Sequence, residues 1–206
     1  MRDEVKAREL TIGMDFQPAG RADEALMRAK RGDLAAFDEL MARHERQVFR
    51  VALGVLGRRE DAEDAVQEVF LKLHRALGTL DEERAFAAWL YRVTVNVCRD
   101  IHAKRARVKS LSLDELQSAG FEARTVAADP ERLASAAEQE RLVLQALGDL
   151  PPKERAALVL RDIEGLSTEE VAQALGSSPA TVRSQVATAR LKLTRFRDRL
   201  LGKKAK

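Results

Sequence analysis

Apolar residues recur along this chain at the spacing of an α-helix, and glycines interrupt the pattern at intervals. The clearest case covers residues 61–77, where one helical face carries alanine, valine, leucine and phenylalanine before Gly78. A run of this kind buries one side of a helix and leaves the other side polar. Helices are predicted in the first half at 23–31, 34–56, 61–77 and 84–107, and in the second half at 138–147, 152–163, 168–174 and from Pro179 onward.

The residue types agree with an all-α fold. Seven Phe, one Trp and one Tyr in 206 residues are too few for a β-sandwich or barrel, which depends on aromatic and β-branched strands. Alanine, leucine, glutamate and arginine dominate, and these are helix formers. With 33% charged residues the chain can fill only modest cores, so we expect two small helical domains joined by a flexible linker.

Breaks in the helical pattern give the expected domain boundaries. Residues 1–20 lack a sustained period and are predicted to be a disordered leader, and residues 201–206 form a basic tail. The first domain spans 21–107 and the second spans 136–200. Between them, residues 108–135 lose the period and contain Ser110, Gly120 and Pro130, which are typical of a linker.

The location expected from the sequence is the cytoplasm. Cys98 is the single cysteine, which excludes an internal disulfide framework. No apolar stretch approaches the roughly 18 residues of a membrane-spanning helix. The first ten residues mix both charge signs, unlike a signal peptide. We therefore expect a soluble intracellular protein with no membrane insertion.

Charges of one sign are concentrated in separate blocks. Residues 60–68 contain acids and no base, whereas residues 99–109 and the segment from Ser177 to the end are strongly basic. Two separated basic blocks could hold one polyanion at two places. The alternative is that these blocks are solvated helix faces.

The segment from Ser167 to Leu193 has the pattern of a helix-turn-helix. Ser167 and Glu170 match a capping box, Gly176 falls in a turn, and Ser178 and Pro179 begin a second helix. Such a unit lays its second helix in the DNA major groove, where an arginine can pair with guanine. The alternative is an ordinary helical hairpin with a charged outer face. The candidate DNA-binding residues here are Ser178, Thr181, Arg183, Ser184 and Arg190.

The helix at 61–77 carries a second candidate surface on its polar side. There Leu71 lies beside Asp64, Gln67 and Glu68, opposite the apolar stripe. An exposed apolar side chain rimmed by acids resembles a protein-docking face, although a solvated helix face is the simpler alternative.

The helix at 84–107 ends in the first basic block. An asparagine can hydrogen-bond a base edge, an aspartate can orient it and basic side chains can follow the strand backbone, which suits unpaired or flipped bases. Trp89 falls within the apolar stripe and is expected in the core. The candidate residues on this helix are Asn96, Asp100, Lys104, Arg105 and Arg107.

No catalytic pattern is present in the sequence. The histidines His44, His74 and His102 are scattered, and neither a glycine-rich phosphate loop nor an HExxH motif occurs. Cys98 and His102 are four residues apart, but further metal ligands are not evident. We expect no enzyme activity, no metal and no cofactor.

These segments together resemble the sigma-70 family of bacterial transcription initiation factors, in its smallest form, the extracytoplasmic-function (ECF) type. DAEDAVQEVFLKL at 61–73 is similar to region 2.2 of the family, and FAAWLYRVTVN at 86–96 to regions 2.3–2.4. LPPKERAALVLRDIEGLSTEEVA at 150–172 is similar to region 4.1 running into 4.2, and SPATVRSQVATARLKL at 178–193 to the recognition helix.

The resemblance implies a role for each surface. Asp64, Gln67, Glu68 and Leu71 would dock on the β′ clamp helices of core RNA polymerase. The loop 78–84 would receive a base flipped from the minus-10 element near Asn96 and Asp100. The second domain would sit on the β flap and read the minus-35 element of promoter DNA as duplex. An anti-sigma factor is a further expected partner.

Two departures leave promoter preference open. Ala180, at the tip of the recognition helix, has no hydrogen-bond donor in its side chain. The base-pocket loop carries Leu80 followed by three acids.

A rival interpretation is a conventional helix-turn-helix regulator that binds an operator, although residues 21–107 lack the strand alternation of a receiver domain. An all-helical enzyme or adaptor is the third class.

Overall fold

Helices make up the first part of the chain in the computed structural model, which describes residues 24–80, 83–111, 130–200 and 202. Within those ranges the backbone contains helices and no strand, which confirms the all-α prediction. The first four helices are α1 (Glu24–Lys30), α2 (Leu34–Leu56), α3 (Arg59–Ala76) and α4 (Glu83–Leu111). A 3₁₀ turn at Leu77–Thr79 follows α3.

The described residues of the second part of the chain form four further helices. These helices are α5 (Pro130–Gly148), α6 (Pro152–Leu158), α7 (Thr168–Leu175) and α8 (Pro179–Leu200). A π-helical turn at Val159–Ile163 follows α6.

Helix α2 has the predicted bounds because both its ends are capped. Asp33 precedes it, and its Oδ1 accepts a hydrogen bond from the backbone N–H of Ala36 at 3.1 Å. Arg28 of α1 holds the other oxygen of Asp33 through Nε and Nη2, at 2.9 and 2.7 Å. At the far end Gly57 adopts φ 74°, the left-handed conformation that glycine takes without steric penalty.

Helices α1–α4 enclose the first core. Leu40, Val48, Val69, Leu73 and Leu90 are almost completely buried. Burying an aliphatic side chain of this size stabilises the fold by about 1.5–3 kcal/mol. Trp89 packs against the edge of the same core, as expected. The amphipathic stripes therefore hold this bundle together.

A second core lies between α6, α7 and α8. Val159, Leu160, Val171 and Val182 are fully buried there. The helix predicted at 152–163 changes at Val159 to the wider π turn, in which the Glu164 N–H donates to the Val159 carbonyl at 3.0 Å. A π turn adds a residue to the helical turn and thereby changes the direction of the side chains that follow.

The two cores are in contact. Val51 of α2 and Val95 of α4 belong to the second cluster, and Leu144 of α5 belongs to the first. The two predicted domains are present, but they pack against each other in this structure rather than lying apart on a linker.

Helices extend into the predicted linker 108–135 from both sides. Helix α4 continues to Leu111 and α5 already begins at Pro130, because neither 104–109 nor 131–138 contains a helix breaker and Pro130 suits a first helical position. The rest of the linker, the leader 1–20 and tail residues 201 and 203–206 lie outside the described residues.

Among the described helices, none combines the length and apolarity needed to cross a membrane.

Candidate nucleic-acid and protein interfaces

A reciprocal capping box fixes the start of α7. The Ser167 Oγ accepts from the Glu170 N–H at 3.2 Å, and a Glu170 carboxylate oxygen accepts from the Ser167 N–H at 2.7 Å. These hydrogen bonds lower the pKa of Glu170. Gly176 then adopts φ 60°, which turns the chain into α8. The structure thus confirms the helix-turn-helix predicted from the sequence.

The N-terminal turns of α8 present polar side chains to solvent. Ser178 caps the helix by accepting from the Thr181 N–H at 3.1 Å, and its Oγ lies 2.8 Å from the Thr181 hydroxyl. Arg183 and Ser184 are exposed, and no hydrogen bond or ion pair joins Arg183 to another described residue. On the opposite face of α8, Val182, Val186 and Ala189 are buried. The arginine predicted to read DNA is therefore free to extend.

Further along α8, basic side chains are held in ion pairs. Arg190 binds Asp162 of the π turn through Nε and Nη2 at 2.8 and 2.6 Å, which raises the pKa of the guanidinium. Lys192 lies 2.9 Å from both carboxylate oxygens of Glu154. The sequence placed Arg190 at the DNA surface, where it is exposed but already paired.

Helix α4 carries Asn96 and Asp100 on an exposed edge. The Asn96 Oδ1 lies 3.4 Å from the Arg99 guanidinium, and Asp100 lies 3.9 Å from the Lys72 Nζ of α3. Both contacts are long and exposed, so they add little to stability. The Asn96 amide and the Asp100 carboxylate remain accessible from solvent.

The basic end of α4 is only partly available to a ligand. Lys104 and Arg107 are exposed. Arg105 donates to Asp61 of α3 at 2.6 Å, and the side chain of Asp61 is only 11% exposed. This pair joins the start of α3 to the last described turns of α4.

The docking candidate on α3 has the expected geometry. Leu71 is 53% exposed, although Phe70 and Leu73 of the same helix are buried. Asp64 and Gln67 are exposed beside it, and Glu68 is half-buried, 3.7 Å from Lys72. An apolar side chain therefore stands on a polar surface next to carboxylates.

The two surfaces of the first domain adjoin each other. The pairs Lys72–Asp100 and Arg105–Asp61 both join α3 to α4, so the candidate docking face and the candidate base-reading edge lie on neighbouring helices. Sequence reasoning missed Lys72 and Asp61, whose charges had no visible partner. It also missed Lys30, whose Nζ donates to the carbonyl of Leu80 within the loop 78–84, which the sequence predicted to receive a base.

The described residues contain no cluster of three or more potential metal ligands. The pair proposed from spacing separates in the structure, because Cys98 is completely buried and His102 is exposed. Burial raises the pKa of the Cys98 thiol to about 12.

Family models match both halves of the chain. Sigma-70 region 2 matches residues 40–108, and Sigma-70, region 4 matches residues 140–193. The first match contains α3 and nearly all of α4, and the second contains α7 and the first two thirds of α8.

Similar proteins of known type extend these matches. The ECF RNA polymerase sigma factor SigM of Mycobacterium tuberculosis is 36% identical over 85% of this chain and 85% of its own length. The ECF RNA polymerase sigma-E factor of Escherichia coli is 34% identical over 82% of this chain and 90% of its own.

Solved structures agree with this assignment. CnrH, solved in complex with the cytosolic domain of CnrY, is 28% identical with a TM-score of 0.64 and covers 86% of this chain and 97% of its own. RpoE from Bartonella quintana, solved with NepR, shares the fold at a TM-score of 0.62 and 22% identity, over 78% of this chain and 95% of its own. The chain therefore belongs to the sigma-70 family of RNA polymerase sigma factors, in its ECF type, and directs promoter-specific transcription initiation with core RNA polymerase.

Proposed function

We propose that each domain reads a different form of the promoter. Residues 136–200 act as region 4 and read the minus-35 element as duplex through α8. The observation that carries this proposal is the exposure of Arg183 on the N-terminal turns of α8, without a partner among the described residues. An arginine in that position can bind guanine through two hydrogen bonds in the major groove. Ser178, Thr181, Ser184 and Arg190 contribute backbone or base-edge contacts around it.

Residues 21–107 act as region 2 and hold the melted minus-10 element. Asn96 and Asp100 stand exposed on α4 and can bind the edge of an extruded base, while Lys104, Arg105 and Arg107 follow the strand backbone. Unpairing a base costs a few kcal/mol, so capture of the extruded base and of its strand stabilises the melted state. Arg105 must exchange Asp61 for phosphate to take part.

Two contacts attach the chain to core RNA polymerase in this proposal. Leu71, with Asp64, Gln67 and Glu68 around it, docks on the β′ clamp helices, and the second domain sits on the β flap. A central apolar side chain with a polar rim is the arrangement in which interface binding energy concentrates.

The chain acts as an initiation factor in the cytoplasm rather than as an enzyme, and it requires no metal or cofactor of its own. An anti-sigma factor is its expected regulator. The similar protein CnrH was solved with the cytosolic domain of CnrY, which supports a regulator of that kind here.

The test is a reconstituted reaction with purified chain and core RNA polymerase. We expect the two to associate and to give run-off transcripts from defined start sites, whose map identifies the promoter. A second sigma factor on the same core enzyme is the positive control. If the chain binds duplex DNA but does not associate with core enzyme that accepts the control factor, the operator-binding alternative is correct.

A further inference from the structure

We propose that two carboxylates of the second domain, Asp149 and Glu154, determine how strongly its DNA binding depends on sequence. They pair with cations of α8 that lie beyond the base-reading turns, and so keep these cations from binding the phosphates of random DNA. This rests on the proposed function, in which the N-terminal turns of α8 read the minus-35 duplex.

Carboxylates occupy most of the positive charge on α8. The helix carries six arginine and lysine side chains, and four of them form ion pairs within the second domain. The pairs are Arg190–Asp162, Lys192–Glu154, Arg197–Asp198 and Arg199–Asp149. The other two cations are Arg183 and the exposed Arg195. The basic block predicted from the sequence is therefore largely neutralised within the described part of α8.

Glu154, in the first turn of α6, holds Lys192 beside α8. Both Glu154 carboxylate oxygens lie 2.9 Å from the Lys192 Nζ. The side chain of Glu154 is 17% exposed, and that of Lys192 is 37% exposed. A partly buried pair is screened by salt much less than a surface pair. A DNA phosphate must therefore displace a well-placed carboxylate to bind Lys192.

Asp149 lies in the turn between α5 and α6 and faces Arg199. The Arg199 Nη2 lies 3.5 Å from the Asp149 Oδ2, and both side chains are largely exposed. This pair is weaker than Lys192–Glu154, because it is longer and more open to water. Lys192 and Arg199 are seven residues apart, which is about two helical turns. The two carboxylates therefore lie on the same side of α8.

Lys192 and Arg199 lie far along α8 from the arginine that reads bases. A helix rises 1.5 Å per residue, so Lys192 is about 14 Å and Arg199 about 24 Å beyond Arg183 along the axis. The major groove is about 12 Å wide and winds around the duplex, whereas α8 is straight. A duplex whose bases contact Arg183 therefore leaves Arg199, and to a lesser degree Lys192, outside the groove. Arg190 is nearer, at about 10 Å.

Released cations at these positions would favour DNA of any sequence. Contacts to phosphates supply essentially all of non-specific binding. Lys192 and Arg199 could make such contacts in registers in which Arg183 reads no base, so they would strengthen random binding more than promoter binding. Pairing with Glu154 and Asp149 removes this contribution. The two carboxylates thereby raise the ratio of promoter affinity to random affinity.

The salt dependence of binding to a random duplex tests the proposal. Fluorescence anisotropy with the full chain at about 50 to 200 mM salt gives the slope of log K against log salt concentration, and each phosphate contact contributes about 0.9 to that slope. In the double variant Asp149→Asn with Glu154→Gln, we expect the slope to steepen by about 1–2. Random-duplex affinity at the lowest salt should rise about fivefold or more, and affinity for the mapped promoter duplex less than about twofold.

A matched control separates the release of α8 cations from the change in net charge. Glu138→Gln with Glu140→Gln also removes two carboxylates from the second domain. Glu138 pairs with Arg141 of α5 at 2.6 Å, and Glu140 is exposed. The control therefore changes the net charge equally and releases a guanidinium that is not on α8. We expect its salt slope and its ratio of promoter to random affinity to equal those of the wild type.

Removing the released cations distinguishes this role from a purely structural one. Lys192→Gln and Arg199→Gln, added to the double variant, should return the slope to the wild-type value or below. Loss of a stabilising contact alone predicts no such return. If Glu154→Gln loses helix content by circular dichroism, Asp149→Asn alone decides, since its side chain is 57% exposed. Its slope should steepen by about 1.

The proposal is overturned if the double variant binds random duplex with an unchanged slope, or if the control steepens the slope equally. It is also overturned if the steeper slope persists after Lys192 and Arg199 are replaced. The slope on random duplex involves neither polymerase nor promoter. Failure to associate with core polymerase therefore counts against the proposed function and not against the role of these carboxylates.

Discussion

Arg190 of the recognition helix and Asp162 of the π turn are joined by two hydrogen bonds, at 2.8 and 2.6 Å. The pair is half open to water, since the side chain of Arg190 is 54% exposed and that of Asp162 is 22% exposed. In the proposed interface a DNA phosphate would compete with Asp162 for this arginine. We therefore expect the contact to lower the affinity of α8 for DNA without blocking it.

Asp162→Asn should strengthen binding of duplex DNA. The substitution frees Arg190, and an exposed pair of this kind contributes up to about 1 kcal/mol, so we expect up to about fivefold tighter binding. Fluorescence anisotropy with labelled promoter duplex at fixed salt measures the change. Glu169→Gln, which removes an exposed carboxylate from neighbouring α7, is the control. An equal gain from Glu169→Gln would show that only net charge matters.

Arg183→Ala should weaken recognition of the minus-35 duplex by about 1–3 kcal/mol, because a two-point guanine contact is lost. Affinity for core polymerase should be unchanged. Arg197→Ala removes the same charge near the far end of α8, where Arg197 already pairs with Asp198. We expect Arg197→Ala to have a smaller effect that is equal for promoter and random duplex. Equal loss of polymerase affinity in Arg183→Ala would contradict the assignment.

Leu71→Ala should weaken binding to core polymerase by about 1–2 kcal/mol, because Leu71 is the apolar centre of the docking face. Its side chain is 53% exposed, so the thermal stability of the chain should hardly change. Leu73→Ala is the opposite case, since Leu73 is fully buried and its truncation should cost about 2–5 kcal/mol of folding free energy. Unchanged polymerase affinity in Leu71→Ala would rule out docking through this face.

The Cys98 thiol should react very slowly with thiol reagents in the native chain at pH 8. Burial raises its pKa to about 12 from 9.0, so the folded chain keeps the thiol protonated where the unfolded chain begins to ionise. Ionisation of the thiol therefore favours the unfolded chain. The free energy of unfolding is unaffected by this thiol below pH 9.0 and decreases as the pH rises toward 12. Absorbance with a chromogenic disulfide, with and without denaturant, measures the reactivity. Rapid reaction without denaturant would mean that the site opens.

The helices and their caps could be predicted from the sequence because they depend on nearby residues. Gly57 and the Ser167–Glu170 capping box each act within one helical turn, and they lie where the pattern placed them. The exposure of Leu71 followed from its position opposite the apolar stripe. These features need no knowledge of the rest of the fold.

The contact between the domains could not be predicted in the same way. Arg50 and Glu164 are 114 residues apart, and nothing local marks them as partners. Val51 lies on the apolar stripe of α2 yet is buried in the second core, because an apolar stripe shows that a residue is buried but not what covers it. The π turn was not predicted either, since the spacing of apolar residues over 152–163 does not distinguish one π turn from an α-helix.

We proposed that α4 holds the melted minus-10 element and that α8 reads the minus-35 element as duplex. Run-off transcription from one mapped promoter in two forms, as full duplex and with the minus-10 element already unpaired, tests these roles most directly. We expect Asn96→Ala to lose transcription on the duplex and to recover on the unpaired form, because the proposed function of Asn96 is to capture a base extruded on melting. Arg183→Ala should remain defective on both templates, since Arg183 is proposed to read the minus-35 element and that element is duplex in both. Equal behaviour of the two variants on the two templates would contradict the account.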